Sequence, residues 1–319
     1  MKLVVQIPCL NEEQTLPQTL ADLPTSVPGF DIVEILVIDD GSEDDTVETA
    51  MRHGATRVVK HKRNYGLASS FQTGLEAALA MGADVVVNTD GDNQYAGADI
   101  PKLVEPIVAG RADIVIGDRQ VRRQRQFGWM KTWLQEFGSA VVSSLAGTTV
   151  PDAVSGFRAL SRSAALRLNI VSRFSYTTEM IIQAGNKSLA IESVAVRTNE
   201  VTRPSRLFKG SLRFVLVQAV TIIRMYAMYR PMRFFFILGT AFTCAGSVPI
   251  LRFLLFYFTG DGEGHLQSLI LGGVLLLLGF LLFVTGLLSD LISQNRKLTE
   301  MTLERVRVME QVLVDRDDP

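Results

Sequence analysis

Cysteine is nearly absent from this chain: Cys9 and Cys244 are its two thiols. One lies near the N-terminus and the other in an apolar run, which excludes a disulfide framework and fits a reducing compartment. Histidine is almost as scarce. His53, His61 and His265 are scattered, which weighs against a zinc site. Glycine-rich phosphate loops are missing too. No G-x-G-x-x-G follows the first apolar run, where Pro8-Cys9-Leu10-Asn11-Glu12 stands instead, and G-x-x-x-x-G-K-[ST] does not occur. Those gaps exclude a dinucleotide oxidoreductase and a P-loop ATPase. The G-x-S-x-G elbow of serine hydrolases is also lacking. Net charge is −1 over 319 residues, so overall charge points to no polyanionic partner, nucleic acid included. The opening stretch, Met1 to Pro8, is too soon interrupted to serve as a signal peptide. The first domain is therefore expected in the cytosol.

What the first two hundred residues do contain is a series of apolar runs that end in acids. Leu3–Ile7 reads as a buried strand stopped by Pro8, followed by Asn11, Glu12 and Glu13, where Asn11 can cap a helix. Glu34–Ile38 ends in Asp39-Asp40-Gly41-Ser42, with a helix beginning near Asp44 to Thr46. Arg57–Lys60 is a short third strand, and Gly66–Met81 carries Leu67, Phe71, Leu75 and Ala78 at helical spacing. Val85–Val87 precedes Asp90 and Asp92, a helix is expected over about Ala98–Ala109, and the strand Asp113–Ile116 ends in Gly117-Asp118-Arg119. Strands alternating with helices predict an α/β fold with a doubly wound, mostly parallel sheet. Ligands bind beyond the carboxyl ends of such strands, and the acids cluster there.

The stretch Thr89-Asp90-Gly91-Asp92-Asn93-Gln94 is the most chemical of these ends. Side chains two apart on extended backbone point the same way, so Asp90 and Asp92 can aim at one point, with Gly91 allowing close approach. Two carboxylates with the amide oxygen of Gln94 form a hard-oxygen site suited to Mg²⁺ or Mn²⁺. A calcium loop is a poorer rival, because Tyr95 and Pro101 stand where that loop needs glycine and glutamate.

Four stretches carry a resemblance: I-P-C-L-N-E-E (7–13), V-I-D-D-G-S-E-D-D-T (37–46), K-R-N-Y-G-L-A (62–68) and T-D-G-D-N-Q (89–94). In order and spacing they resemble the successive signatures of family 2 glycosyltransferases with the GT-A fold. The resemblance covers residues 1 to about 200. It implies an inverting transferase that uses a nucleotide sugar, UDP- or GDP-linked, and a divalent metal. It places Pro8, Asn11, Glu12, Asp39, Asp40 and Arg63 at base and ribose, Asp90 and Asp92 at the metal–diphosphate motif, and Asp90 also against the donor. Leu10 stands where an aromatic is usual, and T-D-G-D replaces the commoner D-A-D. The Q-x-x-R-W motif of processive synthases is not matched by Gln124-Arg125-Gln126-Phe127-Gly128-Trp129, which favours single sugar transfer.

Arg119, Arg122, Arg123, Arg125 and Lys131 form a basic loop ahead of a helix expected over Gly128–Ala146; it reads either as acceptor-phosphate contact or as a solvated loop. Pro151-Asp152-Ala153-Val154-Ser155-Gly156-Phe157-Arg158 is similar to the D-x-x-x-G-F-R segment of polyisoprenyl-phosphate glycosyltransferases. On that resemblance Asp152, with Arg119, is the catalytic pair. A turn cap after Pro151 is the structural alternative for Asp152, and Glu179 is the rival carboxylate.

Beyond residue 200 the composition changes. Arg203, Arg206, Lys209, Arg213, Arg224, Arg230 and Arg233 occur without an acidic residue among them. Arg203, Arg206 and Lys209 read as an acceptor-phosphate site, with attraction to anionic headgroups as the competing explanation. Leu207–Tyr229 reads as an amphipathic interfacial helix on the inner leaflet. Phe234 to about Phe258 and Leu266–Leu288 are each long enough to cross a hydrocarbon core of about 30 Å. The loop between them lacks Lys and Arg while the outer flanks are basic, which places both chain ends in the cytosol. The expected organisation is a catalytic domain over 1–200, a basic juxtamembrane segment over 201–233, a transmembrane hairpin over 234–289 and a cytosolic helix over 290–319. Leu291, Leu298, Met301, Val308 and Val312 in that helix recur near 3.5-residue spacing, interrupted by Arg305, a pattern for self-association into a homo-oligomer.

The expected reaction is transfer of one sugar to a polyprenyl phosphate, undecaprenyl or dolichyl. The alternatives are transfer to another membrane lipid such as diacylglycerol, or a catalytically silent scaffold, which the joint presence of Asp39, Asp90, Asp92 and Asp152 disfavours.

Overall fold

The computed structural model describes residues 1–120, 129–170, 176–199, 220, 223–224, 226–259 and 266–317, with side chains omitted at 129–137, 307 and 310–317. Arg122, Arg125, Arg203, Arg206 and Lys209, and most of the expected interfacial helix, lie outside the described residues. The described residues divide near residue 219 and near residue 304 into two compact units.

In the first unit, β-branched runs too apolar to face water become the centre of a sheet. Strands β1 (Lys2–Cys9), β2 (Ile32–Asp39), β3 (Arg57–Lys60), β4 (Val85–Asn88), β5 (Ile114–Asp118), β6 (Arg158–Ser161) and β7 (Ile191–Ala195) form one seven-stranded sheet. Their order is β3-β2-β1-β4-β6-β5-β7. Helices α1 (Leu16–Asp22), α2 (Thr46–Arg52), α3 (Leu67–Ala80), α4 (Ile100–Val108), α5 (Trp129–Ala146), α6 (Arg162–Arg167) and α7 (Tyr176–Asn186) fill the connections. Leu3, Val5, Ile7, Val37, Val85 and Val87 are buried with Leu16 and Leu20 of α1 and Ile100 and Leu103 of α4 in a single core, as a covered parallel sheet requires.

β1 pairs in parallel with both β2 and β4. The chain therefore winds outward to β3 and returns to β4 on the other side of β1, which makes the β1/β4 ends the switch point where ligands bind. β6 departs from the parallel rule. It runs antiparallel to both β4 and β5, with Arg158 opposite Asn88 and Ile116. Its entry loop, residues 152–157, consequently opens onto the same edge as the carboxyl ends of the other strands. Asn11 does not cap α1, which begins at Leu16 with Thr15 as the flanking residue and a proline in its first turn. Asn11 sits instead at φ 55° and its amide oxygen accepts from the Glu43 N–H.

The second unit holds α8 (Pro231–Phe258) and the first part of α9 (Leu266–Asp317). Both are apolar and long enough to cross a membrane, and few of their residues are buried within protein. Glycines let their backbones touch. A Cβ at Gly279 would lie 2.5 Å from Thr243 Oγ1 and 3.0 Å from Gly239 O, and one at Gly246 would lie 2.9 Å from Gly272 O. Small residues at such crossings replace the hydrophobic driving force that lipid removes. Gly279→Leu is expected to push the helices apart and lower the temperature at which the detergent-solubilised protein aggregates, read by size-exclusion chromatography after graded heating. Gly273, which faces open space, should tolerate leucine.

Candidate functional site

Two loops at the ends of β1 and β2 are laced together. Asn11 N donates to Ser42 Oγ (2.9 Å), Glu12 N to Thr46 Oγ1 (2.9 Å) and Glu13 N to Asp44 Oδ2 (3.2 Å). Asp45 N returns the exchange to Glu13 Oε2 (3.1 Å). Pro8 is buried at the end of β1, and Leu10 beside it is exposed. Asp39, wholly buried, accepts from Ser42 N at 3.1 Å.

Asp40 is turned toward the next loop. Its Oδ1 meets His61 Nδ1 (2.8 Å) and Tyr65 N (2.9 Å), and its Oδ2 accepts from Gly66 N (2.8 Å). His61 Nε2 continues to Thr73 Oγ1 on α3 at 3.1 Å. The loop that Asp40 holds carries Arg63, whose guanidinium lies 5.3 Å from the Tyr65 ring centre. Gly41, at φ 77°, leaves room for this loop, since a Cβ there would meet the Arg63 backbone at 2.6 Å.

At the end of β4, buried Asn88 donates to Gly156 O (2.8 Å) and to Tyr176 Oη (3.2 Å), and accepts from Gln6 Nε2 (2.9 Å). That network ties the β4 end to the residues before β6. Asp90 then faces Gly156: a Cβ on Gly156 would stand 2.9 Å from both carboxylate oxygens. Gly156 N donates to Tyr95 Oη at 2.9 Å, and the Tyr95 ring stacks on Phe157 with centres 5.2 Å apart. Burial, followed by the charge of Asp92, pushes the Asp90 carboxyl up to about 7. Asp92 Oδ1 accepts from Gln94 N at 3.1 Å. Gly91 packs on Cys9, where a Cβ would lie 2.9 Å from Sγ, and its carbonyl is 3.0 Å from Thr15 Oγ1 and 3.1 Å from Thr19 Oγ1.

Asp152 is 2 % exposed and held in a fork by Arg119, with Nε at 2.7 Å and Nη2 at 3.0 Å. Arg119 follows β5, so the crossing of β5 and β6 brings the pair together from positions 33 residues apart. Below it lies a fully buried guanidinium, Arg158. It donates to the carbonyls of Ser155 (2.7 Å), Thr177 (2.7 Å) and Ala153 (2.8 Å). Burial lowers its pKa to about 10. Glu179 is buried on α7, where Gln183 Nε2 donates to it at 3.2 Å.

The arrangement thus joins the ends of β1, β2 and β3 and the loops that follow them (Asn11, Glu12, Asp39, Arg63), the Asp90–Gln94 turn and the Arg119–Asp152 fork. Sequence reasoning did not single out Asn88, Tyr95 or Arg158. Arg158 lay inside a recognised motif, but nothing local marks Asn88 or Tyr95. Among the described residues no three of His, Cys, Asp and Glu converge as a closed metal cage. The donor set fits a cation of the Mg²⁺ or Mn²⁺ kind, which takes one or two carboxylates and completes its shell with water and phosphate oxygens. The local sign of this fit is the crowding of two carboxylates: after burial, the charge of Asp92 helps raise the Asp90 carboxyl against the opposing pull of Arg119 and Arg158.

Comparison with known proteins agrees. Residues 4–168 match the family model described as glycosyl transferase family 2. A UDP-N-acetylglucosamine–dolichyl-phosphate N-acetylglucosaminyltransferase of Methanococcus voltae is 29% identical over 60% of this chain and 83% of its own length. An undecaprenyl-phosphate mannosyltransferase of Micrococcus luteus is 32% identical over 50% of this chain and 66% of its own. Among solved structures, glucosyl-3-phosphoglycerate synthase from Mycobacterium tuberculosis, crystallised with Mn²⁺, UDP and phosphoglyceric acid, has a TM-score of 0.54. It is 23% identical over 69% of this chain and 78% of that one, and so shares the fold. With the β1/β4 switch point, the Asp90–Asp92 turn and the family match in agreement, this chain belongs to glycosyltransferase family 2.

Proposed function

We propose that the protein moves one sugar, with inversion, from a UDP- or GDP-linked donor to a polyprenyl phosphate at the cytosolic leaflet, releasing the nucleoside diphosphate. The observation that carries this reading is the packing of Gly156 on Asp90, which sets the Arg119–Asp152 fork beside the Asp90–Gln94 turn. The relatives named for dolichyl and undecaprenyl phosphate support the acceptor class. Two helices that could cross a membrane support its location.

Pro8, Asn11, Glu12, Asp39 and Arg63 would line the nucleoside side, with Asp40 acting through the loop it holds. Asp90, Asp92 and Gln94 would hold the divalent cation at the diphosphate. That cation, when bound, supplies positive charge for the departing phosphates. On the acceptor side little base strength is needed. A phosphate monoester has a second pKa near about 6 and is largely dianionic at neutral pH. One of its oxygens forms the bond to the anomeric carbon as the bond from that carbon to the diphosphate oxygen breaks. A carboxylate clamped in a guanidinium fork is a weak base and a good orienting group. Asp152 therefore fixes the Arg119 fork, and the exposed side of that guanidinium meets the acceptor phosphate. Arg122, Arg125, Arg203, Arg206 and Lys209 would add to the same acceptor site.

The test is a donor screen with purified full-length protein and a polyprenyl phosphate, with products identified by mass spectrometry. A polyprenyl-phosphate sugar from one nucleotide-sugar class supports the reading. Transfer to diacylglycerol with none to the polyprenyl phosphate contradicts it.

Asp40→Ala is expected to raise the donor KM about tenfold or more and change kcat little, because losing charge-assisted hydrogen bonds worth about 1.5–3 kcal/mol each unfastens the Arg63 loop. Steady-state kinetics with the donor as the varied substrate would show this; an unchanged KM would mean that the loop does not meet the donor.

A further inference from the structure

The turn that carries Asp92 and Gln94 is closed by its own hydrogen bond from Gln94 N to Asp92 Oδ1 and is held from outside as well. Asn93 lies at φ 56°, a left-handed conformation that asparagine tolerates but does not prefer. The groups that hold it come from the far side of the sequence, in the stretch after β7. Tyr95 and Thr198 form an antiparallel bridge. Ala96 N donates to Arg197 O (3.3 Å) and Asn199 N to Gln94 O (2.9 Å). The Asn199 carboxamide then reaches over the turn: Nδ2 stands 3.0 Å from Asn93 O, 3.3 Å from Asn93 Oδ1 and 3.4 Å from Tyr95 O. Asn199 thus touches each residue from Asn93 to Tyr95 through a backbone oxygen, without touching Asp92.

The stretch that carries Asn199 is itself anchored. Arg197 N donates to Asp99 Oδ2 (2.7 Å), and its guanidinium meets Asp99 Oδ1 at 2.9 Å. Asp99 is fully buried and also accepts from Lys102 Nζ at 2.9 Å. Burial opposes its charge, but the hydrogen bonds from Arg197 and Lys102 outweigh that cost and hold the carboxyl at about 2. The anchor stays charged across the whole range in which the enzyme would work.

We propose that Asn199 is a positioning residue for the Asp92–Gln94 turn, fixing left-handed Asn93 and thereby the direction in which the Asp92 carboxylate and the Gln94 side chain point. The inference rests on the reading of that turn as the cation and diphosphate site. An amide suits the task because it donates to several carbonyl oxygens without adding charge beside Asp92. An aspartate of the same shape turns oxygens toward oxygens and adds a negative charge.

The experiment uses full-length protein in detergent and the variants Asn199→Ala, Asn199→Asp and Asp92→Asn. Asn199 is half-buried in a loop, so its variants keep the sheet. The first readout needs neither metal nor donor. Amide exchange in a peptide covering residues 92–97 should quicken about tenfold in both Asn199 variants, as expected when hydrogen bonds that hold a turn are lost. A peptide covering Ile32–Asp39 serves as the control and should not change. The second readout is calorimetric binding of UDP and of GDP with Mn²⁺, which should weaken about tenfold in Asn199→Ala and further in Asn199→Asp. Unchanged exchange over 92–97 overturns the proposal, as does binding equal to wild type in both Asn199 variants. If Asp92→Asn leaves Mn²⁺-dependent nucleotide binding intact, the reading of the turn fails instead, and the exchange data still report on Asn199 alone.

Discussion

Asp92→Asn should cut turnover about a hundred- to a thousandfold, the loss typical when one preorganised charge-stabilising group is removed from an active site. The substitution keeps the shape of the side chain, so the hydrogen bond from Gln94 N to Oδ1 can persist and the turn keeps its form. What disappears is charge. Asp90 beside it is raised to about 7 partly by the charge of Asp92. The variant relieves that repulsion while taking a carboxylate from the cation. Stability should therefore hold or rise slightly as activity falls, a combination that a merely structural role for Asp92 would not give. Activity measured against Mn²⁺ or Mg²⁺ concentration checks this. Full wild-type turnover after thorough chelation would contradict the metal-dependent reading.

The second large effect is expected at the fork. Asp152→Asn should retain nucleotide binding and lose most transfer, again by about a hundredfold or more. The neutral amide can accept from Arg119 at one oxygen only, and its nitrogen faces a guanidinium that also only donates. The fork then loses one of its two side-chain hydrogen bonds, and the site loses a negative charge that faced Arg119 and lay near Arg158. Breaking a buried pair from one side is destabilising by about 3–5 kcal/mol. The partial exposure of Arg119, 17 % of its side chain, should bring the cost below that range. Donor affinity and turnover should be measured on one preparation. If Glu179→Gln abolishes turnover and Asp152→Asn does not, the two carboxylates exchange roles. The buried placement of Glu179 on α7, with Gln183 donating to it, argues against that outcome.

Much of the sheet was legible because its strands are short apolar runs closed by acids or glycine. Val85–Val87 is apolar on both faces, and Leu3–Ile7 is so apart from Gln6, a pattern that a covered strand explains. The direction of β6 was not legible. Arg158-Ala159-Leu160 carries no periodicity that separates parallel from antiparallel, and its place between β4 and β5 is settled by long-range packing. The pairing of Arg119 with Asp152 follows from that placement, so sequence could nominate both residues without showing that they meet. Asp40 illustrates a second limit. A motif marks where a carboxylate belongs but does not say which backbone groups it also holds, here the N–H groups of Tyr65 and Gly66. The Asn199 clasp has no local signature at all, since it joins residues more than a hundred apart.

The proposed activity requires that the acceptor be a phosphate on a lipid chain. The most direct measurement offers wild-type protein, reconstituted in liposomes with its best nucleotide sugar and Mn²⁺, either a polyprenyl phosphate or the matching polyprenol. Mass spectrometry then follows both lipids. A sugar attached through the phosphate, with the alcohol left unmodified, is the predicted result. Equal glycosylation of the alcohol, or none of the phosphate across UDP- and GDP-linked donors, would contradict it.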